Sequence, residues 1–124
     1  MRRVVIDAAT FIGWFIGDGE AASLRPEYEA GQLGVLVPTT FVPDVLGEVA
    51  ALGWPRDRIE RLSALLDEIG FEVREPSRAG LARWVGGRIT PAQAAYAALA
   101  EESEHPLVAG DPELRRRAAT LVQS

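Results

Sequence analysis

The 124-residue chain has no cysteine, no lysine and a single histidine. Without thiols it can form neither disulfides nor thiolate zinc sites, a composition that agrees with a reducing compartment. Without lysine there is no Walker A phosphate loop and no Schiff-base nucleophile, and all 13 basic residues are arginine. His105 precedes Pro106 near an expected helix end, where a solvated or helix-dipole role is the ordinary one. No serine is placed to pair with it as a nucleophile. No apolar run reaches the ~18 residues a membrane span needs, and Met1-Arg2-Arg3-Val4-Val5-Ile6 meets Asp7 too soon for a signal peptide. The expectation is a cytoplasmic protein with no membrane partner.

What is abundant is carboxylate. Eighteen acidic residues give a net charge of −5 and a pI near 4.9. That balance argues against broad nonspecific binding of nucleic acid, which rests on phosphate neutralisation. It leaves open a carboxylate site at which a divalent cation mediates contact with a phosphate. A hydrophobic fraction of 48% and a charged fraction of 25% are those of an ordinary globular domain, and the length allows one such domain, residues 1–124.

The chain is organised around Val4-Val5-Ile6-Asp7-Ala8-Ala9-Thr10. A short apolar strand runs into a helix over Ala8 to Ile16, so Asp7 stands at the carboxyl end of a strand, where ligands bind in open α/β sheets. Asp7 serves equally well as a helix cap. The helix is apolar on nearly every side, which predicts deep burial or a partner surface. Glu20 to Ala30, broken by Pro26, reads as a short irregular helical pair with Leu24 and Tyr28 inward. Gly34 to Pro38 reads as a second buried strand.

Pro43 to Leu52 fits a helix with Val45, Val49 and Leu52 on one face, and Glu48 falls on that apolar face. A glutamate so placed should meet an arginine, a metal or another polar group, or else reach solvent from the edge of the stripe. Ile59, Leu62, Leu65, Leu66 and Ile69 form the stripe of the next helix, and Phe71-Glu72-Val73 a short strand. Pro76 to Val85 is a weaker helix with Leu81, Trp84 and Val85 inward. Thr90-Pro91-Ala92-Gln93 has the form of a capping box and opens an alanine-rich helix suited to close packing on a sheet. Pro106 to Ala109 is the last strand, and Asp111 repeats the placement of Asp7. The last helix turns Leu114, Ala118 and Leu121 inward, with Arg115, Arg116 and Arg117 as a solvated basic face. Strands alternating with helices predict one α/β domain with a mainly parallel sheet and right-handed crossovers.

Four segments in this order resemble the PIN-domain family, in particular the short VapC-type toxins of toxin-antitoxin pairs. They are Val4 to Ala8, Pro43 to Ala50, Ala92 to Glu101 and Pro106 to Asp111, and the resemblance covers essentially the whole chain. It implies a parallel sheet flanked by helices and an endoribonuclease whose acidic residues hold Mg²⁺ or Mn²⁺. It also implies a small antitoxin partner and a homodimer. Asp7, Glu48 and Asp111 map onto three of the family's acidic positions, as metal ligands and catalytic groups. The fourth is Gln93 here, where the family commonly has Asp, and the usual hydroxyl residue two after the first Asp is replaced by Ala9, with Thr10 next.

Glutamine offers a neutral amide oxygen and cannot act as a base. Gln93 is then a substitute or supporting ligand in a weaker site, or Glu113 or Asp44 takes its place, or the fold has kept binding without catalysis. In the last case a partner is expected to cover Phe11, Trp14 and Phe15. A receiver or haloacid-dehalogenase-type domain also places Asp after its first strand, but needs a lysine, which this chain lacks, or a second Asp two residues beyond the first, where this chain has Ala9.

Overall fold

A computed structural model describes residues 1–122, two short of the expected domain end. Four strands form one sheet: β1 (Arg2–Ile6), β2 (Leu33–Val37), β3 (Glu72–Val73) and β4 (Leu107–Val108). Their order is β3-β2-β1-β4 and every pairing is parallel. Val4, Val5 and Ile6 are all fully buried, as a central strand covered on both faces requires. The fold class expected from the sequence, α/β with a parallel sheet flanked by helices, is the one observed.

The helices between β1 and β2 are α1 (Ala8–Ile16) and α2 (Ala21–Glu29). Between β2 and β3 lie α3 (Phe41–Ala51) and α4 (Arg56–Glu68), and between β3 and β4 lie α5 (Arg78–Trp84) and α6 (Pro91–Ser103). The chain closes with α7 (Pro112–Arg117). Successive strands move from β1 outward to β3, then the chain returns past β2 and β1 to β4. The strand order therefore reverses between β1 and β4, and right-handed crossovers assign the outward and return helices to opposite faces. That junction is the topological switch point where ligands of open α/β sheets bind.

Two packing styles serve the helices. Phe11, Trp14, Tyr28, Phe41 and Phe71 form a cluster of mostly edge-to-face rings, with centroids 5.2–6.1 Å apart, that ties α1, α2 and α3 to the start of β3. On α6, Ala94 through Ala100 are all buried, so a helix with no large side chain but Tyr96 and Leu99 in this run seats close to its neighbours. The capping box at its start is formed as the sequence predicts.

Four expectations are corrected. The segment Glu20 to Ala30 holds one helix, α2, and not a pair, because Pro26 forfeits only its own N–H while its carbonyl still accepts from Ala30. Leu52 is 67% exposed because α3 ends at Ala51 and helical spacing no longer governs the next residue. Val85 is 40% exposed for the same reason, standing in extended backbone just past α5. Phe11 and Trp14 are not open to a partner: deep burial, the first of the two readings of α1, holds for them within their own chain, leaving Phe15 partly covered against Trp54 and Ile16 exposed.

Candidate active site

Asp7 caps α1, its side chain accepting from the Thr10 N–H at 2.9 Å. Both of its oxygens also accept from the Gly110 N–H, at 2.9 and 3.0 Å, and Oδ2 accepts from the Asp111 N–H at 3.1 Å. One carboxylate thus sews the end of β1 to the loop after β4. The contact is close: a Cβ on Gly110 would stand 2.9 Å from the Thr10 nitrogen, so only glycine fits there. Thr10 reinforces the seam by donating its hydroxyl to the Val108 carbonyl at 2.9 Å. Its hydroxyl is therefore buried in structure and does not replace the one missing at Ala9.

The loop so fixed carries Asp111, which caps α7 by accepting from the Leu114 N–H at 2.9 Å. From the other side of the switch point α3 brings Asp44 and Glu48, four residues apart and hence on one helix face. From α6 come Gln93 and Tyr96, three apart. These residues, with Asp7, Ala8, Thr90, Ala92 and Leu114, line a pocket of about 150 Å³. A hollow of about 280 Å³ beside α1 has no comparable convergence of acids, and its Arg115 donates to the Ala109 carbonyl and pairs with Glu20 at 3.5 Å.

The structure brings all four sequence-predicted residues, Asp7, Glu48, Gln93 and Asp111, to one pocket, but in unequal condition. Asp7 is buried and Asp111 half-buried. Glu48 is exposed, a departure from the apolar placement read on the helix, and it pairs with no arginine among the described residues. Lost hydration in the pocket, followed by the charges of Asp7, Asp111 and Asp44, pushes its carboxyl above the usual glutamate value. Gln93 is no free ligand: its Oε1 accepts from the Thr90 N–H at 3.0 Å while its own N–H donates to Thr90 Oγ1 at 3.2 Å. Glu113 stays outside, pairing with Arg116 at 2.7 Å and Arg88 at 3.7 Å, and Arg116 is thereby drawn out of a freely solvated basic face.

Tyr96 is the residue that sequence reasoning passed over. Its hydroxyl donates to Asp44 Oδ2 at 2.8 Å, and Thr40 donates to the same oxygen at 3.1 Å, so Asp44 is held in place. Burial first, then the Asp44 charge, raises the tyrosine well above its ordinary value and keeps it a donor. Its spacing of three from Gln93 on a capped helix is the signal that could have found it.

Hard carboxylate oxygens from Asp44, Glu48 and Asp111 suit Mg²⁺ or Mn²⁺ in kind. In arrangement, no group of three or more acidic, histidine or cysteine side chains among the described residues is set to hold an ion, and no buried side-chain nitrogen or oxygen is left without a partner.

No family model and no curated protein matches the chain. The crystal structure of PAE2754 from Pyrobaculum aerophilum is similar to it with a TM-score of 0.63 at 22% sequence identity, over 94% of this chain and 86% of that one. At that identity the likeness is one of fold.

Proposed function

We propose that the chain is a metal-dependent endoribonuclease that hydrolyses RNA phosphodiester bonds at the pocket of Asp7, Asp44, Glu48 and Asp111. The observation that carries this reading is the meeting of four carboxylates at the switch point, felt in the raised pKa of Glu48. Acids are rarely gathered at a cost in self-repulsion unless something of opposite charge uses them. The resemblance of four ordered segments to VapC-type PIN domains supplies the rest of the proposal: the toxin role, a small antitoxin as partner, a homodimer and a cytoplasmic site of action. No helix among the described residues is long and apolar enough to cross a membrane, which agrees with the last point.

The residues divide the work. Glu48 and Asp111 would hold Mg²⁺ or Mn²⁺, with Asp44 beside them, because each keeps oxygens that backbone N–H groups have not claimed. The chemistry that such an ion supplies when bound is neutralisation of phosphate charge and acidification of a water. Asp7 acts at one remove, fixing the loop that presents Asp111. Tyr96 restrains Asp44. Burial, then the charges of Asp7, Asp111 and Asp44, raises the Glu48 carboxyl from its ordinary value, a repulsion that a bound cation would relieve.

A second reading has its own observation. Gln93 is committed to the helix cap, and among the described residues no three acids are in ligand geometry, as expected of a PIN-like fold that binds a protein or RNA partner without cutting. Cleavage of a panel of structured RNAs by wild type, Glu48→Gln and Gln93→Asp, each with Mn²⁺, Mg²⁺ or EDTA, separates the two. Metal-dependent cutting by wild type that EDTA and Glu48→Gln both abolish is the expected result. Inert protein in all metals, for wild type and Gln93→Asp alike, would remove the nuclease and leave the binding protein.

A further inference from the structure

We propose that Gln93 serves this pocket as a hydrogen-bond donor to an anionic oxygen of the substrate and not as a ligand to a cation. The inference rests on the reading of the pocket as a phosphodiester site. It begins from which end of the amide is already spent. A backbone N–H can be received only by an oxygen, so the Thr90 N–H, 3.0 Å from Oε1, fixes the amide's orientation. The return bond from the Gln93 N–H to Thr90 Oγ1 closes the box and holds the side chain across the first turn of α6.

The free end is therefore the NH₂ group. An amide nitrogen has no lone pair to give a metal, but it has two N–H donors. No hydrogen bond joins it to any of the four carboxylates among the described residues, although it lines the same pocket. The acids and Tyr96 cannot do this job. Ionised carboxylates only accept, and the Tyr96 hydroxyl is given to Asp44. Among the described lining residues, the Gln93 NH₂ group and the Thr90 hydroxyl are the side-chain donors not given to an acid. A phosphodiester presents non-bridging oxygens that the acids repel, and a neutral donor can receive one of them without a second charge having to be desolvated. Gln93 thus orients the substrate while the acids attend to the cation.

The test measures two affinities separately in wild type, Gln93→Met and Gln93→Glu. Mn²⁺ binding is followed by calorimetry, and binding of a short labelled RNA by fluorescence anisotropy with Ca²⁺ present. Methionine keeps the length and removes the donor together with the Oε1 cap on the Thr90 N–H, so its circular dichroism and Tm are recorded beside the affinities. Glutamate keeps the bond to the Thr90 N–H, and so the helix start, while replacing the donor by an acceptor. The expected result is unchanged Mn²⁺ affinity in Gln93→Met with RNA affinity down about tenfold, the loss of one hydrogen bond to a charged group, and a fall at least as large in Gln93→Glu. Weaker Mn²⁺ binding by Gln93→Met, or RNA binding by both variants equal to that of wild type, overturns the donor role while leaving the pocket's function intact. Wild type that binds neither Mn²⁺ nor RNA overturns the reading of the pocket itself, and the donor role falls with it.

Discussion

Asp7 is 3% exposed and its carboxylate takes hydrogen bonds from three backbone N–H groups, whereas Glu48, lining the same pocket, is exposed and its carboxylate takes no hydrogen bond among the described residues. Both are carboxylates in one electrostatic field, and the difference between them is what the backbone asks of each. The α1 start and the loop after β4 leave N–H groups without a backbone partner, and Asp7 is the acceptor that satisfies those of Thr10, Gly110 and Asp111. Glu48 sits in the middle of α3, where the helix has satisfied its own backbone, so its oxygens stay available. A shared pocket thus holds one carboxylate that builds the site and another free to act in it.

The sharpest way to break this comparison is to remove each in turn. Asp7→Ala leaves three N–H groups without their acceptor at a buried seam and is expected to cost about 3 kcal/mol, a fall in Tm on the order of 10 °C. Asp7→Asn should fare only partly better, since its NH₂ would face a backbone N–H. Glu48→Ala should change Tm by far less. Thermal melts of the three variants in EDTA decide the matter. Equal losses from Asp7→Ala and Glu48→Ala would sink the distinction. The result also bears on activity assays, because loss of cutting in an Asp7 variant can reflect a displaced Asp111 as easily as a missing ligand.

The parts of this seam were legible in sequence to different degrees. A carboxylate between an apolar strand and a helix, seen at Asp7 and again at Asp111, is a local signal, and both proved to be caps. The Thr90–Gln93 box was readable for the same reason, since every atom in it lies within four residues. The strand order was not local: nothing near Asp7 announces that β4 will lie beside β1, which is why its bonds to Gly110 and Asp111 could not be foreseen. Glu48 misled because a helical wheel gives the side on which a residue lies but not whether anything covers it. Its angle falls beside Phe41 and Val45, which are buried, yet at its own level the pocket opens to solvent. Tyr96 was hidden inside a run whose alanines spoke only of packing.

A smaller effect sharpens the comparison from the side of the ligand. A cation bound by the available carboxylates stabilises the folded state by mass action, about 2.7 kcal/mol at one hundred times its dissociation constant. Saturating Mn²⁺ should therefore raise the Tm of wild type by several degrees, and Glu48→Gln should lose most of that rise while keeping the wild-type melt in EDTA nearly intact. An unchanged wild-type Tm at saturating Mn²⁺ and Mg²⁺ would separate Glu48 from any metal role.

The smallest effect concerns protons. The folded chain raises the Glu48 pKa, through lost hydration and then through Asp7, Asp111 and Asp44, so the folded state binds this proton more tightly than the unfolded one. The favourable contribution is complete below the ordinary glutamate range, around pH 4, and is lost as pH rises through the folded value. Above it, an ionised Glu48 faces three acids without compensation. In EDTA, Glu48→Gln should accordingly melt slightly higher than wild type at neutral pH, by on the order of 1 °C because the group is exposed and water screens the repulsion. The two curves should converge as the medium is taken below that range, since protonated glutamate and glutamine then carry the same charge. The other carboxylates titrate in both proteins, so the difference between the curves isolates Glu48. A gap that widened on acidification would mean that Glu48 is stabilised when ionised, and repulsion from the neighbouring acids would then not be what governs it.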